Sequence, residues 1–288
     1  MITIVIPVYN RASLIKRTID NILDQTYQDI EIVVSDDGST DNIEAVMQTI
    51  SDLRVRFLKS EKNMGACHAR NMGIEAARGE YIAFQDSDDL WDTHKLQKQL
   101  DALKAGNADV CICRMKFVYE NGIEKQFHDQ NFVQKDITLE NELSNNFIST
   151  QLVLGRKECF IQEKFDERFP RFQDWDLGIR LVKNYSIVFL DDILAFRMVQ
   201  EDSLSRNAER GYEGGKLLLE KYKEDFKRFP KAEADFLCFY SQFQELHGES
   251  SRANLRRSLK QKFTKKTFLK YISQTLGIYR FYLKRKRK

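Results

Sequence analysis

The 288-residue sequence predicts an α/β protein, a Rossmann-like and mainly parallel sheet followed by a C-terminal helical appendage. Three observations carry that prediction. Through residues 1–110, short β-branched runs alternate with segments whose apolar residues recur at helical spacing, the pattern of βαβ units. Polar clusters follow the strand-like runs, where an open parallel sheet gathers its ligand-binding loops. After residue 207 strand signals cease. The segment 250–288 then carries 14 Lys or Arg and no Asp or Glu, against 32 basic and 43 acidic groups in residues 1–249. The net charge of +3 hides a body of −11 joined to a basic tail, a split that points to an anionic partner.

Taken in order, residues 2–6 form a β-branched run that Pro7 should stop. A helix over 12–25 shows apolar residues at 15, 19, 22 and 23. Residues 30–34 read as a strand, and Asp41 as the cap of a helix reaching residue 51. A third strand covers 55–58, and a helix over 65–78 ends at a Gly79 stop. Strands at 81–84 and 110–115 flank a helix over 92–103, with Asp89 and Asp92 as local caps. Asn121-Gly122 marks a hairpin. Further strands are expected at 150–154 and 187–197, with a helix between them at 176–182. Helices over 212–226, 232–246, 251–263 and 266–284 complete the chain, broken at Pro230 and Gly248. The domain reading is 1–207, with halves at 1–110 and 111–207, followed by a basic helical region at 208–288.

Composition excludes several classes. Apolar content of 42%, with 20 Phe and 11 Tyr, can build a sizeable core. No apolar run approaches the ~18–20 residues of a membrane span. The N-terminus reads as a strand, not a signal peptide. Five Cys form no disulfide framework, which suits a cytoplasmic chain with reduced thiols. There is neither a G-x-G-x-x-G nor a Walker A sequence, so dinucleotide-binding and P-loop readings lose support.

The loops after the strands carry the chemistry. Pro7-Val8-Tyr9-Asn10 follows the first strand, Asp36-Asp37-Gly38 the second, Asn63-Met64-Gly65 the third and Asp86-Ser87-Asp88-Asp89 the fourth. Tyr9 can stack on a base, and Asp37 can accept from base N–H donors or ribose hydroxyls. Arg70 offers planar donors to diphosphate oxygens at a helix start. Asp86 and Asp88 are hard oxygen ligands that select Mg²⁺ or Mn²⁺. Arg197, near Ser203 and Ser205, is a further candidate contact to the diphosphate.

With the segments IVIPVYNR, SDDGSTD, NMGACHARN and GEYIAFQDSDD in this order, the chain resembles the family 2 glycosyltransferases, enzymes of the A-type nucleotide-sugar fold. The resemblance covers residues 1–205 and includes an acceptor-side segment, FDERFPRFQDWDLGIRL. It implies that Pro7, Tyr9 and Asp37 hold the base, with Asn10, Gly65 and Ser87 in the same donor site and Arg70 beside the diphosphate. It implies that Asp86-Ser87-Asp88 is the D-x-D motif, Asp88 binding the metal and Asp86 the ribose or metal. Asp174 falls where the family places its catalytic base, although Gln173 stands where many relatives have an acid. The reaction implied is an inverting transfer from a nucleoside-diphosphate sugar, a UDP-sugar, to a saccharide or lipid-linked saccharide in bacterial surface-polysaccharide synthesis. The Q-x-x-R-W motif of processive synthases is missing, so one residue is transferred per encounter. An inactive nucleotide-sugar scaffold and a nucleotidyltransferase are the alternatives; PVYNRAS lacks the glycine-rich loop the latter needs.

In the tail, apolar residues at 268, 272, 276, 279 and 283 make one helical face flanked by Lys265, Lys266, Lys270, Arg280 and Lys284. A basic aromatic helix of this kind suits an anionic membrane surface, and so a peripheral position on the inner face of the membrane. Packing of that face on the body is the alternative. No nucleic-acid motif accompanies the charge, and nucleic acid is not expected as a partner.

Overall fold

The computed structural model describes residues 1–199 and 207–286. In chain order the elements are β1 (Ile2–Val8), α1 (Ala12–Leu23), β2 (Ile30–Asp36), α2 (Ile43–Gln48), β3 (Val55–Lys59), α3 (Ala66–Ala76) and β4 (Tyr81–Phe84). Next come β5 (Leu90–Trp91), α4 (Lys95–Ala105), β6 (Val110–Tyr119), β7 (Glu124–Gln126), α5 (Leu139–Ser144), β8 (Val153–Arg156), α6 (Lys157–Gln162), α7 (Gln173–Asn184) and β9 (Ile187–Val199). The remainder is helical: α8 (Ala208–Lys221), α9 (Lys223–Arg228), α10 (Pro230–His247), α11 (Arg252–Gln261), α12 (Lys265–Thr275) and α13 (Tyr279–Lys286). Two compact units result. One contains Met1–Ile137, Phe147–Glu167 and 177–199; the other contains Thr138–Asn146, Arg168–Asp176 and the helices from residue 207 on.

The first unit is built on one sheet ordered β3-β2-β1-β4-β8-β6-β9-β5, with β7 on β6. Strands β1 to β4 are parallel to one another, as βαβ alternation requires, and β6 pairs with β9 in parallel. Antiparallel pairing enters with β8, which lies between β4 and β6, and with the short β5 on β9. Strands β1 and β2 are buried almost throughout, and the polar residues inside their apolar runs, Thr3 and Glu31, meet each other, the Thr3 hydroxyl donating to Glu31 at 2.6 Å. Ile15, Ile19 and Ile22 of α1 make the helical stripe that covers these strands.

Several local expectations are corrected. Pro7 does not stop β1, which continues through Val8. Pairing with β4 ends at Val5, so the N–H that Pro7 lacks falls past the end of that partner. Helix α3 ends at Ala76, and Gly79 is not its stop. A Cβ at Gly79 would sit 2.7 Å from the Thr3 nitrogen; glycine is there to let the chain pass close to β1. Asp41 does not cap α2, whose N-cap is Asn42. Its carboxylate instead accepts the Ala12 N–H at 2.8 Å, capping α1 from across the chain. The single helices expected at 212–226 and 266–284 are each divided, into α8 and α9 and into α12 and α13. Gly277, at φ +73°, makes the second break.

One core residue bears on stability. Lys95 is fully buried, its ammonium donating to Gln99 Oε1 at 2.7 Å and lying 3.9 Å from the Trp91 ring centroid. Burial pushes its amine down to about 8. The unfolded chain, with an ordinary lysine near 10.4, therefore binds the extra proton between those values. Stability must rise as pH climbs from about 8 to 10, and the penalty is fully present below about 8. The gain reaches about 3 kcal/mol at most. Urea unfolding at pH 7.5 and 9.5 checks this: the rise is expected in the wild type and absent in Lys95→Met. An equal rise in both proteins would remove Lys95 as its source.

The second unit packs around α10, whose Phe236, Leu237, Tyr240 and Phe243 are buried. Pro230 opens that helix and Gly248, in the left-handed region, closes it. Asn207 N-caps α8 by accepting the Arg210 N–H, next to the boundary expected at 207.

Candidate active site

The parallel strands β1 to β4 deliver their following loops to one edge of the sheet, and these loops are tied to one another. Asn10, in the left-handed region at φ 52°, donates its N–H to Ser39 Oγ and accepts the Thr40 N–H on Oδ1, both at 2.8 Å. Asn tolerates that backbone better than most residues. Asp36 in turn accepts from the Ser39 N–H and hydroxyl. Asp37 is buried, and its two carboxylate oxygens accept the backbone N–H groups of Met64 and Gly65 at 2.9 and 2.7 Å. It thereby fixes the start of α3, where Gly65 is the N-cap at φ 101°. Tyr9 is exposed, 44% accessible, beside the exposed Asn10.

Arg70 lies one turn into α3 and is nearly buried. Its Nη2 donates to Asp86 Oδ1 at 2.8 Å and its guanidinium stands over the Phe165 ring. Its Nε and Nη1 are buried without a partner. Unpaired buried donors are costly in a folded chain, and an incoming anion would satisfy them.

The 86–89 turn is held from both sides. Thr18 of α1 donates to the Ser87 carbonyl at 2.8 Å and Arg17 to that of Asp88 at 3.0 Å. The Gln151 amide donates to Asp86 Oδ2 at 3.1 Å and to Asp89 Oδ2. Asp89 also accepts the Met198 N–H at 2.8 Å. Asp89 is thus a buried carboxyl within the cluster and not the helix cap that its position after a turn implies. Burial, then the neighbouring Asp86 and Asp88, push it up to about 8. Asp92 does act locally, accepting the His94 N–H. The Asp88 carboxyl is also raised, by burial first and the Asp86 charge second, with Arg11 and Arg197 opposing. Ser203 and Ser205 lie outside the described residues.

Among the described residues no three His, Cys, Asp or Glu side chains form a metal-binding group. Two acidic ligands nevertheless suit a divalent ion whose other positions are filled by substrate phosphates and water, the usual way Mg²⁺ is held beside a nucleotide. The donor set also fits electrostatically, since a cation would offset both the burial of the Asp88 carboxylate and the Asp86 charge beside it.

Asp174 belongs to the second unit, in the first turn of α7. It is half-buried and its Oδ1 accepts the Trp175 N–H at 2.9 Å. Its neighbours are anchored. Trp175 Nε1 donates to the Glu142 carbonyl at 2.5 Å and its ring packs on Phe172, Phe236 and Phe239. Asp176, fully buried, accepts from the Tyr222 hydroxyl at 2.7 Å and pairs with Lys221 at 2.6 Å.

The family model for glycosyl transferase family 2 matches residues 3–163. The chain belongs to glycosyltransferase family 2. As a family 2 glycosyltransferase it is 30% identical, over 220 residues, to the glycosyltransferase GlyG of Streptococcus pneumoniae, covering 72% of this chain and 73% of that one. It is also 30% identical, over 210 residues, to WfgD of Escherichia coli, a UDP-Glc:α-D-GlcNAc-diphosphoundecaprenol β-1,3-glucosyltransferase, covering 72% and 80%. In fold it resembles S. aureus TarS 1–349 in complex with UDP-GlcNAc, with a TM-score of 0.65, 18% identity and coverage of 98% and 91%. The mannosyltransferase PcManGT of Pyrobaculum calidifontis, in complex with GDP-Man and Mn²⁺, gives 0.62 at 18% identity, with coverage of 98% and 83%. The fold expected from the resemblance is therefore the one found.

In this glycosyltransferase Pro7, Tyr9, Asn10, Asp37, Gly65, Arg70, Asp86, Ser87 and Asp88 all lie in the first unit, at or beside the carboxyl ends of β1 to β4. Sequence reasoning missed Gln151 and the clustering of Asp89 with it. The available signal was a polar Ser149-Thr150-Gln151 step between the apolar pairs Phe147-Ile148 and Leu152-Val153, a place where buried polar groups need partners.

Proposed function

We propose that this glycosyltransferase is inverting and non-processive, and that it moves a sugar from a UDP-sugar to a lipid-linked saccharide in cell-surface polysaccharide synthesis. On this reading it works with Mn²⁺ or Mg²⁺ as a peripheral enzyme on the cytoplasmic face of the membrane. One observation carries the chemistry: the two unpaired guanidinium donors of Arg70, buried beside Asp86, which itself stands two residues from a desolvated Asp88. A nucleoside diphosphate supplies the anion those donors lack. The specificity in the name of WfgD supports the UDP-sugar and the undecaprenol-linked acceptor.

Asp86 and Asp88 would hold the divalent ion, which when bound supplies positive charge to the departing diphosphate. Arg70 adds donors to the same oxygens, strengthening as charge develops there. Tyr9 stacks on the base, while Asp37 and Asn10 keep the surrounding loops in place. Asp174 takes the proton from the acceptor hydroxyl as that oxygen attacks the anomeric carbon from the face opposite the diphosphate. A single displacement inverts the configuration.

Incubation with UDP-Glc or UDP-GlcNAc and a GlcNAc-diphosphate-lipid tests this reading, with Mn²⁺, Mg²⁺ or EDTA. The expected product carries a new β-linkage by NMR and forms only with metal. An α-linked product from these α-configured donors, or transfer undiminished by EDTA, would overturn it.

A further inference from the structure

We propose that α12 and α13 present a docking face for an anionic lipid bilayer. The face is defined by an inversion of the usual helix pattern. Residues of α12 turned toward α10 and its continuation are Thr267, which is buried, Lys270, which donates to the Cys238 carbonyl at 2.6 Å, and Gln274, which donates to Ser250 at 2.8 Å. These sit at i, i+3 and i+7, so the inward stripe is polar. Leu269, Ile272 and Leu276 hold the same spacing on the other side and are exposed, Leu269 by 67% and Leu276 by 66%. An ordinary surface helix places these two stripes the other way round.

The exposed apolar side chains continue beyond α12. Phe263 and Phe268 pair at 5.8 Å before and within it, and Ile278, Phe281 and Tyr282 follow it, Phe281 71% exposed. Tyr279 and Leu283 are the exceptions. They are buried, and the Tyr279 hydroxyl meets Ser241 of α10. The apolar face expected along one helix is therefore split by Gly277, its last two members packing inward and the rest facing solvent. Packing on the body thus accounts for Tyr279 and Leu283 and leaves the other apolar members of the face uncovered.

Charge selects the occupant. Lys265, Lys266, Arg280, Lys284 and Arg285 are exposed around these side chains, and no acid lies anywhere in 250–288. A second copy meeting this face symmetrically would oppose positive charge with positive charge. A bilayer containing anionic lipid accepts both features: Leu, Ile and Phe enter the acyl boundary while Lys and Arg remain among the phosphates. Tyr282 suits the boundary itself. No described helix is long and apolar enough to cross the membrane, so the contact is interfacial.

The inference deepens the peripheral reading given above, which rests on a lipid-linked acceptor. Its test uses neither donor nor metal, so its failure would leave glycosyl transfer standing, and loss of transfer would leave vesicle binding standing. The full chain is floated with vesicles of phosphatidylcholine alone and of phosphatidylcholine with phosphatidylglycerol, at low and high salt. The wild type should float with the anionic vesicles and release in high salt. Leu269→Gln, Ile272→Gln and Leu276→Gln combined should weaken binding at least about 10-fold. Lys265→Gln, Lys266→Gln and Lys284→Gln should each weaken it about 5-fold. All six positions are solvent-exposed, so far-UV circular dichroism and thermal midpoints should remain those of the wild type. Failure to bind anionic vesicles, or equal binding by wild type and the apolar triple variant, would overturn the proposal. A dimer seen by light scattering that the triple variant abolishes, without vesicle binding, would overturn it in favour of self-association. Capture of an RNA oligonucleotide without vesicle binding would overturn it in favour of nucleic acid.

Discussion

Asp174→Asn is expected to lower turnover by about 10²–10⁴-fold while leaving the Michaelis constant for the donor close to wild type. The change keeps the Oδ1 acceptor that receives the Trp175 N–H, so that bond in the first turn of α7 is retained. The anchors on either side, Trp175 on Glu142 and Asp176 on Tyr222 and Lys221, are untouched. What is lost is a negative oxygen able to receive a proton. The neighbouring Gln173 is neutral and places no second charge beside Asp174. Steady-state kinetics with separate variation of donor and acceptor read the effect. Turnover within about threefold of wild type would remove Asp174 from the role of base.

Asp88→Asn should reduce turnover by about 10²–10³-fold, with added Mn²⁺ or Mg²⁺ failing to restore it. The stability effect should have the opposite sign. Asp88 is held in a partly desolvated turn beside Asp86 and Asp89, and its carboxyl is raised for that reason. A neutral amide of the same shape relieves this repulsion, so the metal-free variant should melt no lower than wild type. Activity bought at the expense of stability is the common pattern at such sites. Calorimetric titration of Mn²⁺ in the presence of UDP gives an independent readout, in which the variant should show weakened binding. Normal metal affinity with normal turnover would displace Asp88 as ligand and shift the role to Asp86.

Much of this molecule could be read from the chain because the responsible interactions are local. β-branched runs gave β1 to β4, and three- and four-residue spacing gave α1, α3 and α4. Pro230 and Gly248 marked the ends of α10 through their own backbone preferences. The misreadings arise where a partner lies far along the sequence. Asp41 has the composition of a local cap, yet the N–H it serves is on Ala12. Gly79 resembles a helix stop, yet it answers to Thr3. Gln151 and Asp89 are separated by 62 residues and became partners only when β8 entered the sheet beside β4. In the tail, the periodic apolar residues ran through Gly277 without interruption, and periodicity carries no record of a break in backbone direction.

The loop ties also bear on how such an enzyme can change. Asn10 holds Thr40, Asp41 holds Ala12, and Asp37 holds Met64 and Gly65, so three loops from three strands share their hydrogen bonds. A substitution in any one of them alters the fit of the other two, and its effect should depend strongly on the background in which it is made. Grafting a single loop from a relative with another donor would leave these bonds mismatched, whereas moving all three together would carry them intact. This edge of the sheet is thus inherited as one module, and on the donor-site proposal new donor preferences are more accessible from outside the knot, at the exposed Tyr9.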